Sequence, residues 1–251
     1  MKQCTCSDLP IVSPARPRFG RAGIAAGVAA AALAAGADAA VVTKWSFNTG
    51  SLNATTGTGA ARAFRTTVLP FSAGAAADTS PGTNRALRVN GFDFTAATAG
   101  TRGVWFATDV SGYDGLRVTW HQRNDLASAQ WARFQYSTNN GQSYTSAGLA
   151  RGGLYKITLS NTFTRVSFDL SGIDGLTDNP QLRFRMVAMN APGTSVITTT
   201  SGQAFRPSAS WSIDGVTVTG TALFGNAHPA PGALSLLGVA GLAGGRRRRG
   251  G

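Results

Sequence analysis

The chain has 251 residues, of which only 14% are charged, and it carries 23 basic side chains against 11 acids for a formal net charge of +12. Setting aside the two ends described below leaves 15 basic and nine acidic residues, about +6, with no dense Lys/Arg stripe; that argues against a nucleic-acid partner. Cys4 and Cys6 are the only cysteines and both precede the first apolar stretch, so the body has no disulfide and no thiolate metal ligand.

Residues 1–39 read as a signal peptide. Lys2, Arg16, Arg18 and Arg21 precede the apolar run AGIAAGVAAAALAAG, and Ala37-Asp38-Ala39 supplies the small-x-small pattern that signal peptidase needs. The alternative is a membrane-anchoring N-terminal helix, but the run is shorter than the ~20 residues that span a bilayer. From Val41 onward short stretches alternate with period two and are rich in Val, Ile, Phe, Trp and Thr: VVTKWSF, RALRVNGFDF, GVWFATDV, GLRVTWHQR, WARFQYST, LYKITL, TRVSFDL, QLRFRMVA, SVITT and SWSIDGVTVTG. No part of the body keeps a helical period. This predicts an all-β domain over 40–222, a two-sheet antiparallel β-sandwich, flanked by an N-terminal signal helix and a short C-terminal apolar helix. NTGSLNATTGTGAA and SAGAAADTSPGTN read as long polar loops between strands.

Two kinds of turn stand out. In FQYSTNNGQSYT, Asn140-Gly141 supplies two residues that accept positive φ, as a tight hairpin demands. Ser137, Asn139, Gly141 and Tyr144 around it resemble the Asp-box of sialidase-like propellers, but the box occurs once and implies a turn device only. The second is a recurrence: DVSGYDGL (109–116) and DLSGIDGL (169–176) match at six of eight positions, with SIDGVTV around Asp214 as a looser copy. These read as structural corners. A calcium site drawing on Asp109, Asp114, Asp169 or Asp174 is the alternative, and it requires six or more converging oxygens. The strand, DLSG corner, strand arrangement with its closing WSIDGVTVTG resembles the jelly-roll domains of secreted bacterial proteins, of the galactose-binding-like and carbohydrate-binding-module type. That resemblance covers roughly 41–221 and carries over no ligand-binding residue.

After a short linker, 223–228, the segment 229–251 resembles the PEP-CTERM sorting signal: Pro229-Ala230-Pro231, the apolar GALSLLGVAGLAGG, then Arg246, Arg247, Arg248 and Arg249. Ala230 stands where the family has Glu. The resemblance implies processing by exosortase, a membrane cysteine protease of bacteria that make exopolysaccharide. Sixteen residues from Ala230 to Gly245 insert only marginally, and the basic cluster stays cytoplasmic, so membrane contact is transient. A permanent tail anchor is the alternative.

Catalytic equipment is thin. The body has no Glu and no Cys, and its histidines are His121 and His228, the latter beside the sorting element. A hydrolase built on His121 would lack a Gly-x-Ser-x-Gly elbow, and no cofactor is implied. Alternation places Arg117, His121 and Arg123 on one side of their strand, Trp131, Arg133 and Gln135 on one side of theirs, and likewise Arg165, Arg183 and Arg185. If these strands share a sheet, one face carries all nine residues and pairs sugar stacking with acid recognition; the alternative is an ordinary solvated sheet face with Trp131 packed under a loop. Trp45, Trp105, Trp120 and Trp211 are expected in the core or under loops. The sequence therefore predicts a secreted, exosortase-processed envelope or matrix protein with a structural or adhesive role around exopolysaccharide. The alternative is a carbohydrate-binding module for an acidic glycan, and a hydrolase is the less favoured third reading.

Overall fold

The computed structural model describes residues 39–159 and 161–223; Ala37, His228, Pro229, Pro231 and Arg246–Arg249 lie outside them, as do both expected flanking helices. Eleven strands run through the described residues: β1 (Ala40–Trp45), β2 (Gly59–Phe64), β3 (Thr67–Ala73), β4 (Arg85–Asn90), β5 (Gly103–Thr108), β6 (Tyr113–Asn124), β7 (Trp131–Ser137), β8 (Leu154–Lys156), β9 (Thr164–Asp169), β10 (Leu182–Met189) and β11 (Trp211–Ala222). They form two antiparallel sheets. The first has the order β3-β4-β11-β6-β9, with β1 lying end to end with β4 along the same edge of β11. The second has the order β2-β5-β10-β7-β8. Only β3-β4 and β7-β8 are consecutive neighbours within a sheet. Every other connection crosses between sheets, the alternation that builds a jelly roll.

The core between the sheets is aromatic. Phe134 stacks on Phe168 at 4.8 Å and on Trp120 at 5.6 Å, while Phe106 stacks on Phe184 at 5.1 Å with Trp45 edge-on to it. Each is fully or almost fully buried, a gain of about 1.5–3 kcal/mol per side chain. The inward residues of β6 continue past Leu116, Val118 and Trp120 into Gln122 and Asn124, both buried. Gln122 Oε1 accepts from Tyr155 Oη at 2.8 Å and from Trp120 Nε1 at 3.3 Å, and its Nε2 donates to Asn124 Oδ1 at 2.9 Å. Asn124 in turn donates to the Ala129 carbonyl. These buried polar groups are hydrogen-bonded, as burial requires.

Two strands differ from expectation. β2 runs through the alanine-rich end of a stretch read as loop, and β3 carries Pro70, which is tolerated because β3 is an edge strand with a register shift between Leu69 and Ser72. SVITT is not a strand; it makes the bridge between Ala129 and Thr199, and Ile197 packs against the core. The third Asp-Gly copy is also no corner: Asp214-Gly215 forms a bulge inside β11, with Gly215 at φ +57° and a register shift between Asp214 and Thr217.

Candidate functional site

The nine residues expected on one face are divided between two. β6 and β9 belong to the first sheet and β7 and β10 to the second, because the chain crosses the sandwich between Asn124 and Trp131. Arg117, His121, Arg123 and Arg165 therefore sit on the outer surface of the first sheet. Trp131, Arg133, Gln135, Arg183 and Arg185 sit on the outer surface of the second, with the aromatic core between the groups.

On the second sheet the register aligns Arg62, Trp105, Arg185 and Gln135 in one row across four strands. Ala60, Ala107 and Arg183 make the next row. The Arg185 guanidinium lies 4.0 Å from the centre of the Tyr144 ring and 5.0 Å from that of Phe64, and its Nε donates to Gln135 Oε1 at 2.8 Å. Arg183 lies 4.7 Å over the Trp105 ring. Burial is the main reason the Tyr144 hydroxyl titrates above its ordinary range, with both arginines opposing. Among the described residues no carboxylate forms an ion pair with Arg62, Arg133, Arg183 or Arg185. The Nε atoms of Arg133 and Arg183 are buried without a partner. Beside Ala60, Ala107 and Leu182 opens a cavity of about 470 Å³, walled by Asn140 and Gln181. Trp131 stands farther along the face, with Lys156 Nζ 5.5 Å from its ring centre.

The Asp-box-like turn positions this face. Asn140 and Gly141 both have positive φ, as their types allow, although the chain rejoins β7 only at the bridge between Tyr136 and Thr145. Ser137 Oγ accepts from the backbone N–H groups of Asn139 and Gly141, and Asn139 Oδ1 accepts from Ser143 N–H. The ordered loop places Tyr144 on Arg185. Gly141 is needed for closeness as well: a Cβ there would stand 2.9 Å from Arg183 Cδ. Trp105, Tyr144, Phe64 and Arg62 were absent from the sequence-derived set. For Trp105 the signal was present, since it is out of phase with buried Val104 and Phe106 on β5.

The first sheet's outer surface is arranged differently. Arg117 pairs with Asp169 at 2.8 Å, in an exposed contact. Around His121, loop residues 74–81 cover the strands. Asp214, opposite His121 on β11, is 0% exposed; its Oδ2 accepts from Ala75 N–H at 2.7 Å and its Oδ1 from Gly215 N–H at 2.7 Å. Burial pushes its carboxyl up to about 6, against the lowering effect of those two bonds, and the Asp78 charge adds to the rise. Burial alone would raise Asp78 too, but bonds from Ser80 and Lys44 hold it below the usual carboxylate range; Lys44 Nζ is 3.0 Å away. His121 is lowered, first by burial and then by the Arg165 charge, and its Nδ1 is buried without a partner. A cavity of about 570 Å³ opens beside it, lined by Ala75, Ala76, Ala77, Phe163 and Arg165.

The four aspartates of the calcium alternative do not converge. Asp109 Oδ1 accepts from Ser111 N–H and Asp169 Oδ1 from Ser171 N–H and Oγ, each capping its own corner, with Gly112 and Gly172 at positive φ just beyond. Among the described residues no three His, Cys, Asp or Glu side chains come together, Asp114 and Asp174 included.

No protein-family model and no curated protein matches this chain. Among solved structures, similar chains include the CBM22-1 xylan-binding domain of Paenibacillus barcinonensis Xyn10C, at 10% identity and TM-score 0.40 over 73% of this chain and 96% of that one. A mannan-recognising carbohydrate-binding module, TmCBM27, is similar at 12% identity and TM-score 0.38, over 72% and 98%. The C-terminal family 22 module of Clostridium thermocellum Xyn10B is similar at 12% and 0.37, over 65% and 86%. At these values neither identity nor superposition assigns a ligand to this chain.

Proposed function

We propose that this β-sandwich binds acidic polysaccharide through the outer face of its second sheet, and that it does so outside the cell in an adhesive or structural role. The observation that carries the proposal is the pair Arg183 and Arg185. Both guanidiniums are held against aromatic rings, and neither has an ion-pair partner among the described residues. A guanidinium held over a ring has lost most of its rotamer freedom before a ligand arrives, and it offers N–H donors to a carboxylate or sulfate. Ala60 and Ala107, in the row next to Trp105, line the cavity of about 470 Å³ that gives room for the C–H face of a sugar ring. Catalysis is not part of the proposal. The carboxylates nearest His121 are engaged, Asp214 with two backbone N–H groups and Asp78 with Lys44, Ser80 and Asn48.

Calorimetry of the purified chain with polygalacturonate and with neutral xylan tests the reading. A charge-assisted bond contributes about 1.5–3 kcal/mol, so Arg183→Gln combined with Arg185→Gln is expected to weaken polygalacturonate binding at least tenfold. Equal affinity for both polymers, or binding indifferent to the double substitution, overturns it. Export is supported by the leader and the PEP-CTERM-like tail. Its check is the intact mass of protein recovered from cells and medium, expected to lack residues 1–39 and the arginine cluster; a mass retaining both ends overturns that part.

A further inference from the structure

We infer that the cavity beside His121 is a second site for a carboxylated sugar, on the face opposite the first, and that the two sites let one molecule bridge two acidic polysaccharide chains. The bridging step rests on the second-sheet reading; the cavity does not.

The cavity combines charge with an apolar floor. Arg165 lines it and has no ion-pair partner among the described residues. Arg123 stands at its rim, the guanidinium 4.7 Å from the centre of the Phe163 ring and tied to Ser72 Oγ and the Ala73 carbonyl. Phe163 and the methyl groups of Ala76 and Ala77 supply the surface on which the C–H face of a pyranose packs. The nearby acids offer Arg165 no alternative. Asp78 is paired with Lys44, and Asp214 is sealed beneath loop 74–81 with both oxygens bonded to backbone N–H groups. His121 completes the wall as a neutral imidazole whose Nδ1 is turned into the protein, leaving Nε2 as the nitrogen that meets a ligand hydroxyl. At about 570 Å³ the space matches one or two sugar rings rather than a long chain, so it takes a chain end or a branch.

Position turns two sites into a bridge. The sheets pack face to face through Trp120, Phe134 and Phe168, so the sites are separated by the sandwich, whose sheets lie ~10 Å apart before side chains are counted. A short oligosaccharide cannot touch both.

The test is calorimetry of the full chain with trigalacturonate, joined to light scattering with long polygalacturonate. The expected result is two trigalacturonates per molecule, with growth of large assemblies on the polymer. Arg165→Gln with Phe163→Ala is expected to reduce the stoichiometry to one and abolish assembly growth while leaving tenfold or better selectivity for acidic over neutral sugar at the remaining site. Circular dichroism and thermal melting establish that the variant is folded. A stoichiometry of one that survives this double substitution overturns the second site. A stoichiometry of one that is lost with Arg165→Gln but indifferent to Arg183→Gln overturns the second-sheet reading, and bridging with it, while keeping the cavity. Equal binding of neutral xylotriose in the cavity overturns the acid-recognition argument.

Discussion

Asp214→Asn isolates the cost of burying one ionised carboxyl. Asp214 titrates near 6 in the folded protein and near 3.8 when unfolded, so between those values the native state holds a proton that the unfolded chain has released. Stability therefore falls as pH rises from about 4 to 6 and then levels. A displacement of roughly two units amounts to about 3 kcal/mol. Other groups act in the same range with the opposite sign. His121 is lowered, so the unfolded chain binds the extra proton and stability rises with pH up to about 6.5, while lowered Asp78 and Asp169 contribute a rise only as pH approaches 3.8 from below. The wild-type profile is thus a sum, and the difference between wild type and Asp214→Asn removes the shared contributions. The Asn variant also loses one acceptor for the Ala75 or Gly215 N–H, an offset that does not vary with pH. Urea unfolding at half-unit steps from pH 4 to 7.5 measures both curves. The wild-type advantage over Asp214→Asn is expected to shrink by about 3 kcal/mol between pH 4 and 6.5. A constant difference across that window would refute the burial argument.

Gln122→Leu strands Tyr155 Oη, Trp120 Nε1 and Asn124 Oδ1 inside the core, at roughly 1–3 kcal/mol each, so a loss of about 3–5 kcal/mol is expected in urea unfolding; adding Tyr155→Phe should recover about 1 kcal/mol or more. Gly141→Ala forces a side chain into positive φ and presses on Arg183 and the Tyr144 hydroxyl. It is expected to cost about 1–2 kcal/mol of stability and, separately, to weaken polygalacturonate binding severalfold in the calorimetric assay.

Strand alternation made much of the architecture readable before any coordinates. Leu116, Val118 and Trp120 point inward because apolar residues recur every second position, and Asn140-Gly141 marks a turn because both residues accept positive φ. What alternation cannot encode is which strands are neighbours. Arg123 and Arg133 are each on the outward phase of their own strands, yet the crossing between β6 and β7 puts them on opposite faces, and the local pattern is the same either way. Trp105, expected with the other tryptophans in the core or under loops, is legible as an outward residue from its phase against Val104 and Phe106. Tyr144 reaches Arg185 from a loop, where no period applies. The burial of Asp214 depends on a bulge and on a loop 139 residues earlier in the chain, a long-range contact that no sequence window contains.

The placement of β11 has a consequence for the order in which the protein can become native. It is the last strand among the described residues, yet it sits inside the first sheet and pairs with β1, β4 and β6. Those three strands lack their shared neighbour until Trp211–Ala222 has formed, and the long-range closure this requires is intrinsically slow. The first sheet is therefore complete only once Trp211–Ala222 has docked, and a chain interrupted before that segment leaves three strand edges unpaired.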